Sequence, residues 1–369
     1  MKTHKVDPND SNLTLLLAQF GRQKFSDRFL GHLCELSSSF PVIYADGDAD
    51  GEGKLIYQKY KRQLNIQHIE HRQNIKFIDY FTMMVKALSE VKTKYVMLCD
   101  NDDFIIENGI NDSVLFLDDN QDYVSAGSPF LTMQVNHLST DLYASNTYLN
   151  SVYQHYRTIE PLPNWEDQVK DTFLKFQPNF YYIFRSETLL EIWKDILKIN
   201  FTDLTIMEFF FQLRALTLGK QYTLKNNAHY LRQFGTGTFH KGYDFSDNLV
   251  RNNLPNDIRE LANNISIHIA KDTNRREIIY ESILTDYATS LNLYLPHNVL
   301  RYRFQRLFKI KIFLQKSLNK FQFIRHAQQI FKEKKLLNKL KRFYGKQRYE
   351  KVTLELRRIK KFLSYKSLP

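Results

Sequence analysis

YVMLCDNDDF, residues 95–104, is an apolar run that ends in three carboxylates within four residues. An apolar run of this length, bounded by polar residues, is typical of a buried β-strand. In open α/β sheets, ligands bind at the carboxyl ends of such strands. The stretch therefore predicts a strand that ends at a binding site.

The three carboxylates belong to Asp100, Asp102 and Asp103. Acids this close repel one another, so a cation is needed to offset the cost of crowding them. Mg²⁺ or Mn²⁺ is the expected cation, because these ions prefer carboxylates together with substrate phosphates. The alternative is an acidic turn without a ligand, since Asp and Asn are good turn formers.

Strand-like and helix-like patterns alternate on both sides of this stretch. Strands are predicted at residues 13–20, 41–45 and 66–70, and helices at 27–36, 52–64 and 76–90. Downstream, strands are predicted at 123–126, 180–184, 221–224 and 228–231, and helices at 188–197 and 207–218. Residues 141–160 are aromatic and polar without a clean period. The alternation predicts an α/β fold with a largely parallel sheet.

Composition narrows the class of protein. The 369 residues, 43% of them hydrophobic, are enough for two domains or for one large domain with an appendage. Cys34 and Cys99 lie in apolar contexts and are expected to be buried thiols. Residues 1–12 lack the pattern of a secretory leader, and there is no apolar run of about 18 residues. We therefore expect a cytoplasmic protein without a transmembrane helix.

The stretches LLLAQFGR, VIYADGDADG and YVMLCDNDDF follow one another at the ends of predicted strands. In this order they resemble the motifs of family 2-type nucleotide-sugar glycosyltransferases with the GT-A fold, especially bacterial enzymes of surface-polysaccharide assembly. The resemblance covers residues 13 to about 240. It implies a Rossmann-like, mostly parallel mixed sheet flanked by helices.

The resemblance also implies roles for particular residues. Asp100 and Asp102 would hold Mn²⁺ or Mg²⁺, and His240 would be a third metal ligand or a contact to the diphosphate. Glu208 would be the catalytic base, because it begins a helix that ends at Gly219, although Met-Glu stands where the family has Glu-Asp. Contacts to the nucleotide sugar would come from Gln19, Arg22, Asp46, Asn74, Asp100 and Arg232.

The implied activity is metal-dependent, inverting transfer of a hexosyl or N-acetylhexosaminyl group. The donor would be a nucleotide sugar, with UDP-sugars as first candidates. The acceptor would be a saccharide or a lipid-linked sugar in polysaccharide or glycan biosynthesis. One separate base, with no covalent nucleophile nearby, favours inversion.

Single residues of this set also have plainer interpretations. Asp46 could be a turn or cap residue, and Glu208 could be a solvated acid favoured by the dipole of its helix. Arg232 could be a surface ion-pair partner. A lone histidine such as His240 is more often neither a ligand nor a catalyst.

The end of the chain is strongly basic. Residues 298–369 carry 22 Lys or Arg and 3 acids, a net charge of +19, whereas residues 1–297 carry 30 and 37, a net charge of −7. Apolar residues recur at helical spacing among these cations, which predicts amphipathic helices. We therefore predict a catalytic domain over residues 1–250 and a helical, basic C-terminal region over residues 251–369.

The basic region has three possible partners. The first is an anionic membrane surface, which would make the protein peripheral at the inner face of the cytoplasmic membrane. The second is the catalytic domain or a partner subunit, on which a helix pair could pack. The third is nucleic acid, and the chain would then be a nucleic-acid-associated binding protein with an inactive α/β domain. Nucleic acid is disfavoured, because no known reader motif is present.

Overall fold

The computed structural model describes residues 12–48, 50–71, 76–135, 142–144, 147–152, 162–174, 176, 179–233, 254–303 and 322–365. Eleven strands are bounded within these residues: β1 (Leu13–Gln19), β2 (Val42–Asp46), β3 (Ile66–Glu70), β4 (Tyr95–Asp100), β5 (Phe104–Ile105), β6 (Tyr123–Gly127), β7 (Leu131–Val135), β8 (Thr147–Val152), β9 (Ile183–Arg185), β10 (Lys220–Thr223) and β11 (Tyr230–Gln233). Ten helices are bounded there: α1 (Gln23–Leu36), α2 (Glu52–Tyr60), α3 (Phe77–Ser89), α4 (Glu107–Asp119), α5 (Trp165–Leu174), α6 (Ser186–Ile199), α7 (Leu204–Leu218), α8 (Leu254–Ile269), α9 (Thr273–Arg303) and α10 (Gln322–Tyr365).

Seven strands form the main sheet, in the order β10-β6-β9-β4-β1-β2-β3. The neighbours β3, β2, β1 and β4 are parallel, and β9 runs antiparallel between β4 and β6. Leu15, Leu16 and Leu17 of β1 are fully buried, as expected for a strand whose two faces are both covered. The predicted α/β class, with a mixed sheet flanked by helices, is confirmed.

A second sheet has four strands, in the order β5-β11-β7-β8. Sequence reasoning did not predict β5, β7, β8, α4 or α5. The two residues of β5 are too few to show a period. β8 falls in the aromatic segment 141–160, where no clean period marks a strand.

The helical C-terminal region is confirmed by α8, α9 and α10. Leu261 and Ile265 of α8 and Ile283 of α9 are fully buried in the main core. The predicted domain boundary at residue 250 lies outside the described residues and stays a prediction. None of the described helices is both long and apolar enough to cross a bilayer.

α10 folds back on itself at Gly345, whose φ of 73° is in the left-handed region that glycine tolerates. Its apolar residues pack on the second sheet, so that Leu340, Val352, Leu356 and Phe362 are buried with the residues of that sheet. The buried apolar residues of α10, for which the sequence left a membrane or a protein partner open, therefore pack on protein, as the packing alternative expected.

Candidate active site

The register of the main sheet brings the predicted site residues to one edge. Gln19 pairs with Asp46 at the ends of β1 and β2, and Ala18 pairs with Asp100 at the end of β4. Parallel strands end on the same side of a sheet, so the loops that follow these three strands meet there. Arg22, Asp102 and Asp103 lie in those loops.

Asp100, Asp102 and Asp103 form a carboxylate cluster in which one ligand atom of each lies within 4.8 Å of the others. One oxygen of each acid has a hydrogen-bond donor of the protein. Tyr181 Oη donates to Asp100 Oδ2, Arg22 Nη2 donates to Asp102 Oδ2 at 2.7 Å, and a backbone N–H donates to Asp103 Oδ1 at 2.8 Å. These contacts hold the three carboxylates in fixed orientations.

The second oxygen of each acid is left without a hydrogen bond from any described residue: Asp100 Oδ1, Asp102 Oδ1 and the buried Asp103 Oδ2. Of these three oxygens, Asp103 Oδ2 forms an ion pair with Arg232 at 3.4 Å. Oriented carboxylates with one open oxygen are what a hard divalent cation requires. The donor set therefore fits Mg²⁺ or Mn²⁺. Asp103, absent from the predicted ligand set, belongs to the same cluster.

Burial and the crowding of negative charge raise the pKa values of Asp100 and Asp103. Desolvation, with the nearby Asp102 charge, raises the pKa of Asp100, and the cations and Tyr181 beside it offset part of that rise. The pKa of Asp103 is raised well above its usual value for the same two reasons. Metal ligands must be deprotonated, so a carboxyl with a raised pKa releases its proton when a cation binds to it.

Two arginines predicted as nucleotide contacts lie against the cluster. Arg22 pairs with Asp102, and Arg232 Nε is 3.4 Å from Asp103 Oδ2. About a third of the Arg232 side chain is exposed, and its guanidinium carbon lies 5.3 Å from the centre of the Tyr181 ring. Both cations are positioned to meet an anion that approaches the carboxylates.

Arg28 is a third cation, and sequence reasoning did not identify it. It is fully buried, and its Nη2 donates to the backbone oxygen of Asp102 at 2.6 Å. Its Nη1 donates to Gln233 Oε1 at 2.6 Å and to Leu142 O at 2.9 Å. Burial lowers its pKa to about 10, which leaves it charged at neutral pH. Arg28 therefore joins the acidic turn to β11.

Tyr181 and Tyr230 both form hydrogen bonds with Asp100. Their rings stack at 4.8 Å, and Tyr230 Oη accepts the Asp100 N–H at 2.8 Å. His229 Nε2 donates to Tyr181 O at 2.8 Å, and its Nδ1 accepts the Ser128 N–H at 2.9 Å. We define Tyr181, Tyr230 and His229 as the aromatic brace. No sequence period marks Tyr181, which explains why it was missed.

The role of the aromatic brace in metal binding can be tested by substituting Tyr181. Tyr181→Phe removes one hydroxyl and leaves Asp100 Oδ2 without its donor. We expect the apparent affinity for Mn²⁺ to fall by about 10- to 100-fold, because a partner that orients a ligand contributes that much. Tyr182→Phe is the matched control, since the Tyr182 hydroxyl is hydrogen-bonded to Thr223 Oγ1 at 2.9 Å, away from the acids. Equal Mn²⁺ affinities in the two variants would contradict this role.

Asp46 and Gln19 are brought together in a buried polar cluster. Asp46 Oδ1 accepts Gln19 Nε2 at 3.4 Å and the Asp48 N–H at 3.1 Å, and Asp46 Oδ2 lies 3.1 Å from His68 Nε2. Asp48 in turn accepts Gln19 Nε2 at 2.7 Å and a backbone N–H of the β1–α1 loop. These bonds fix the β1–α1 and β2–α2 loops to each other. Such a role agrees with the interpretation of Asp46 as a turn residue. A contact from Asp46 to a nucleobase stays a prediction.

Glu208 lies in the first turns of α7, and its charge interacts with that of Asp100 in the carboxylate cluster. It makes no hydrogen bond or ion pair with any described residue. Burial raises its pKa to about 7, with Asp100 and Asp203 adding to the rise and Arg232 opposing it. A carboxyl with this pKa can accept a proton near neutral pH.

Two neighbouring acids fix the start of α7. Asp203 caps the helix by accepting the N–H groups of Thr205 at 2.8 Å and Ile206 at 3.1 Å. Asp257 of α8 accepts the N–H groups of Thr202 at 2.8 Å and Asp203 at 2.7 Å. The helix that carries Glu208 is therefore held in place by two carboxylates that are themselves engaged.

Two predicted residues cannot be placed. Asn74 and His240 lie outside the described residues. Their proposed contacts to the nucleotide and to the metal stay predictions.

Comparisons with known proteins give distant similarities. No protein-family model and no curated protein matches the chain. The chain is similar to S. aureus TarS 1-349 in complex with UDP-GlcNAc, at 17% identity and a TM-score of 0.48, over 75% of this chain and 72% of that chain. It is also similar to the mannosyltransferase PcManGT from Pyrobaculum calidifontis in complex with GDP-Man and Mn²⁺, at 13% identity and a TM-score of 0.41, over 90% and 88%. At such values these similarities carry no conclusion about what this chain binds.

Proposed function

We propose that this protein is a metal-dependent, inverting glycosyltransferase with a GT-A fold. It moves a hexosyl or N-acetylhexosaminyl group from a nucleotide sugar, with UDP-sugars as first candidates, to a saccharide or lipid-linked acceptor. The observation that carries the proposal is the presence of two kinds of carboxyl, the cluster at the end of β4 and Glu208 on α7, whose charges are close enough to interact. The cluster at the end of β4 has open oxygens for a cation, while Glu208 can exchange a proton near pH 7. Carboxyls with such different environments take different tasks.

The cluster and the arginines form the donor side of the site. Asp100 and Asp102, with Asp103 beside them, would hold Mn²⁺ or Mg²⁺, which neutralises charge on a leaving diphosphate as a Lewis acid. Arg22 and Arg232 would bind phosphate oxygens, because a guanidinium makes strong charge-assisted hydrogen bonds to them. Gln19, Asp46 and Asn74 would contact the nucleoside, and His240 would complete the metal ligands.

Glu208 is the acceptor side of the site. The oxygen of the acceptor hydroxyl attacks the anomeric carbon while the bond from that carbon to the diphosphate oxygen breaks. The electron pair leaves with the diphosphate, and the hydroxyl proton passes to Glu208. One displacement at the anomeric carbon inverts its configuration.

The location of the protein is part of the proposal. Residues 1–250 would form the catalytic domain, and the basic region that follows would hold it at the inner face of the cytoplasmic membrane. The net charge of +19 in residues 298–369 supports this, since anionic lipids attract polybasic segments. A membrane location suits a lipid-linked acceptor in polysaccharide or glycan assembly.

A donor screen tests the proposed activity. The full chain is incubated with common UDP- and GDP-sugars and Mn²⁺, and release of the nucleoside diphosphate is measured. We expect slow release from one donor or a small set, because water can replace an absent acceptor. Release should stop with EDTA and resume with excess Mn²⁺. If no donor is cleaved and none shifts the melting temperature, the alternative of an inactive α/β domain in a nucleic-acid-associated protein gains support.

A further inference from the structure

The inward side of α10 is fixed to the rest of the protein. Leu340, Val352 and Phe362 are buried against the second sheet and its neighbours. Glu355, also buried, accepts the N–H groups of Glu107 at 2.8 Å and Asn108 at 3.2 Å, and so caps the start of α4. We call the described side chains of α10 that remain exposed its outward side.

The charged side chains on that outward side are almost all cations. Among the described side chains of α10, twelve Lys or Arg are exposed, against one exposed acid, Glu350. Surface cations of soluble proteins are usually interspersed with acids. A face this one-sided attracts polyanions.

Large apolar residues are also exposed among these cations: Ile330 and Phe331 before Gly345, and Leu354 after it. Phe331 is 71% exposed, and Lys334 and Lys335 follow it at the third and fourth positions. Leu354 is 50% exposed, and Arg357 and Arg358 follow it at the same spacing. Residues three and four apart lie side by side on a helix, so each apolar side chain lies within a basic patch.

A membrane surface matches both features of this face. Anionic headgroups pair with Lys and Arg, and the hydrocarbon beneath them accepts apolar side chains. Nucleic acid matches the charge, and Phe331 could stack on a base, but Leu354 has no ring with which to stack. The apolar residues therefore favour lipid as the partner.

We propose that the outward face of α10 binds an anionic lipid surface, with Phe331 and Leu354 inserted below the headgroups. The inference rests on the proposed membrane attachment. It places the outward face of α10, rather than its apolar stripe, against the lipid. The buried apolar residues of α10 stay packed on protein, while the basic face, with Phe331 and Leu354, meets the lipid.

Insertion can be measured with single tryptophans in the full chain. Phe331→Trp and Leu354→Trp are mixed with phosphatidylglycerol/phosphatidylcholine vesicles at low salt, with brominated lipids as quenchers. Ile278→Trp is the matched control, because Ile278 is 58% exposed on α9 between the exposed acids Glu277 and Glu281. We expect a blue shift and quenching for positions 331 and 354 beyond the native tryptophan background, and neither effect at position 278.

The charge contribution is measured by co-sedimentation. Lys335→Gln combined with Arg358→Gln should lower partition into these vesicles by about 10- to 30-fold, since each cation near the surface contributes about a factor of five. A full chain that does not sediment with the vesicles overturns both the attachment and this inference. A chain that sediments without quenching at positions 331 and 354 overturns the inference alone. Tighter binding to RNA or duplex DNA than to vesicles reassigns the face to nucleic acid and also overturns it.

Discussion

Asp102→Asn is expected to abolish sugar transfer, with a loss of about 10²–10³-fold or more. The substitution keeps the size of the side chain but removes a negative charge and an open carboxylate oxygen from the cluster. Activity is measured with the donor found in the screen, over a range of Mn²⁺ concentrations. The ion pair with Arg22 is lost as well, so the melting temperature is recorded beside the rate.

Asp118→Asn is the control for this variant. Asp118 also pairs with a cation, Lys94 at 2.6 Å, but it lies on α4 at the surface. We expect normal transfer from this control and a folded protein in both cases. Normal transfer by Asp102→Asn at saturating Mn²⁺ would remove Asp102 from the metal site.

Glu208→Gln is expected to retain donor binding and to lose about 10²–10⁴-fold in turnover, because the amide cannot accept the acceptor's proton. In the wild-type protein, turnover should rise with pH to a plateau above about 7, as the carboxyl with a pKa of about 7 becomes ionised. The residual activity of the variant should lack this rise. The measurement is a pH–rate profile for both proteins.

Stability gives a second readout for the same variant. The pKa of Glu208 in the folded protein is raised to about 7 from 4.5, so the native state binds more protons than the unfolded state between these values. The contribution of Glu208 to stability is therefore present at low pH and is lost as the pH rises through 7. Glu208→Gln should melt at or above the wild-type temperature at pH 8. If the variant melts below the wild-type temperature, its loss of activity would be explained by damaged packing.

Asp203→Asn tests whether the catalytic base is Glu208 or the neighbouring Asp203. Asn caps helices about as well as Asp, so the start of α7 should remain intact. We expect near-normal turnover from this variant. Lost turnover here, together with normal turnover in Glu208→Gln, would make Asp203 the base.

The acidic turn and the sheet edge were predictable from sequence for a simple reason. An apolar run followed by polar residues marks both the strand and the end at which ligands bind, as β4 and Asp100 illustrate. Gln19, Asp46 and Asp100 could therefore be placed at one edge before their contacts were known. Their partners could not be predicted, because side-chain hydrogen bonds join residues far apart in sequence. Arg28 and Tyr181 reach the acidic turn from 74 and 81 residues away.

The basic tail illustrates a second limit. An amphipathic helix pattern states that one face is apolar, but it does not state what covers that face. Leu340, Leu356 and Phe362 fit a membrane-facing stripe and a protein-facing stripe equally well. The second sheet that covers them includes β5 and β8, which leave little trace in the sequence. The packing of α10 could therefore be recognised only from the structure.

Calorimetric titration of UDP into the full chain tests the central claim, a carboxylate-bound metal that holds a nucleoside diphosphate. The titration is run with Mn²⁺, with EDTA, and with Asp102→Asn in Mn²⁺. We predict saturable binding to the wild-type protein with Mn²⁺ and at least about tenfold weaker binding in the other two cases. Equal UDP binding in all three, or no binding of UDP or GDP by the Mn²⁺-loaded wild-type protein, would contradict the claim.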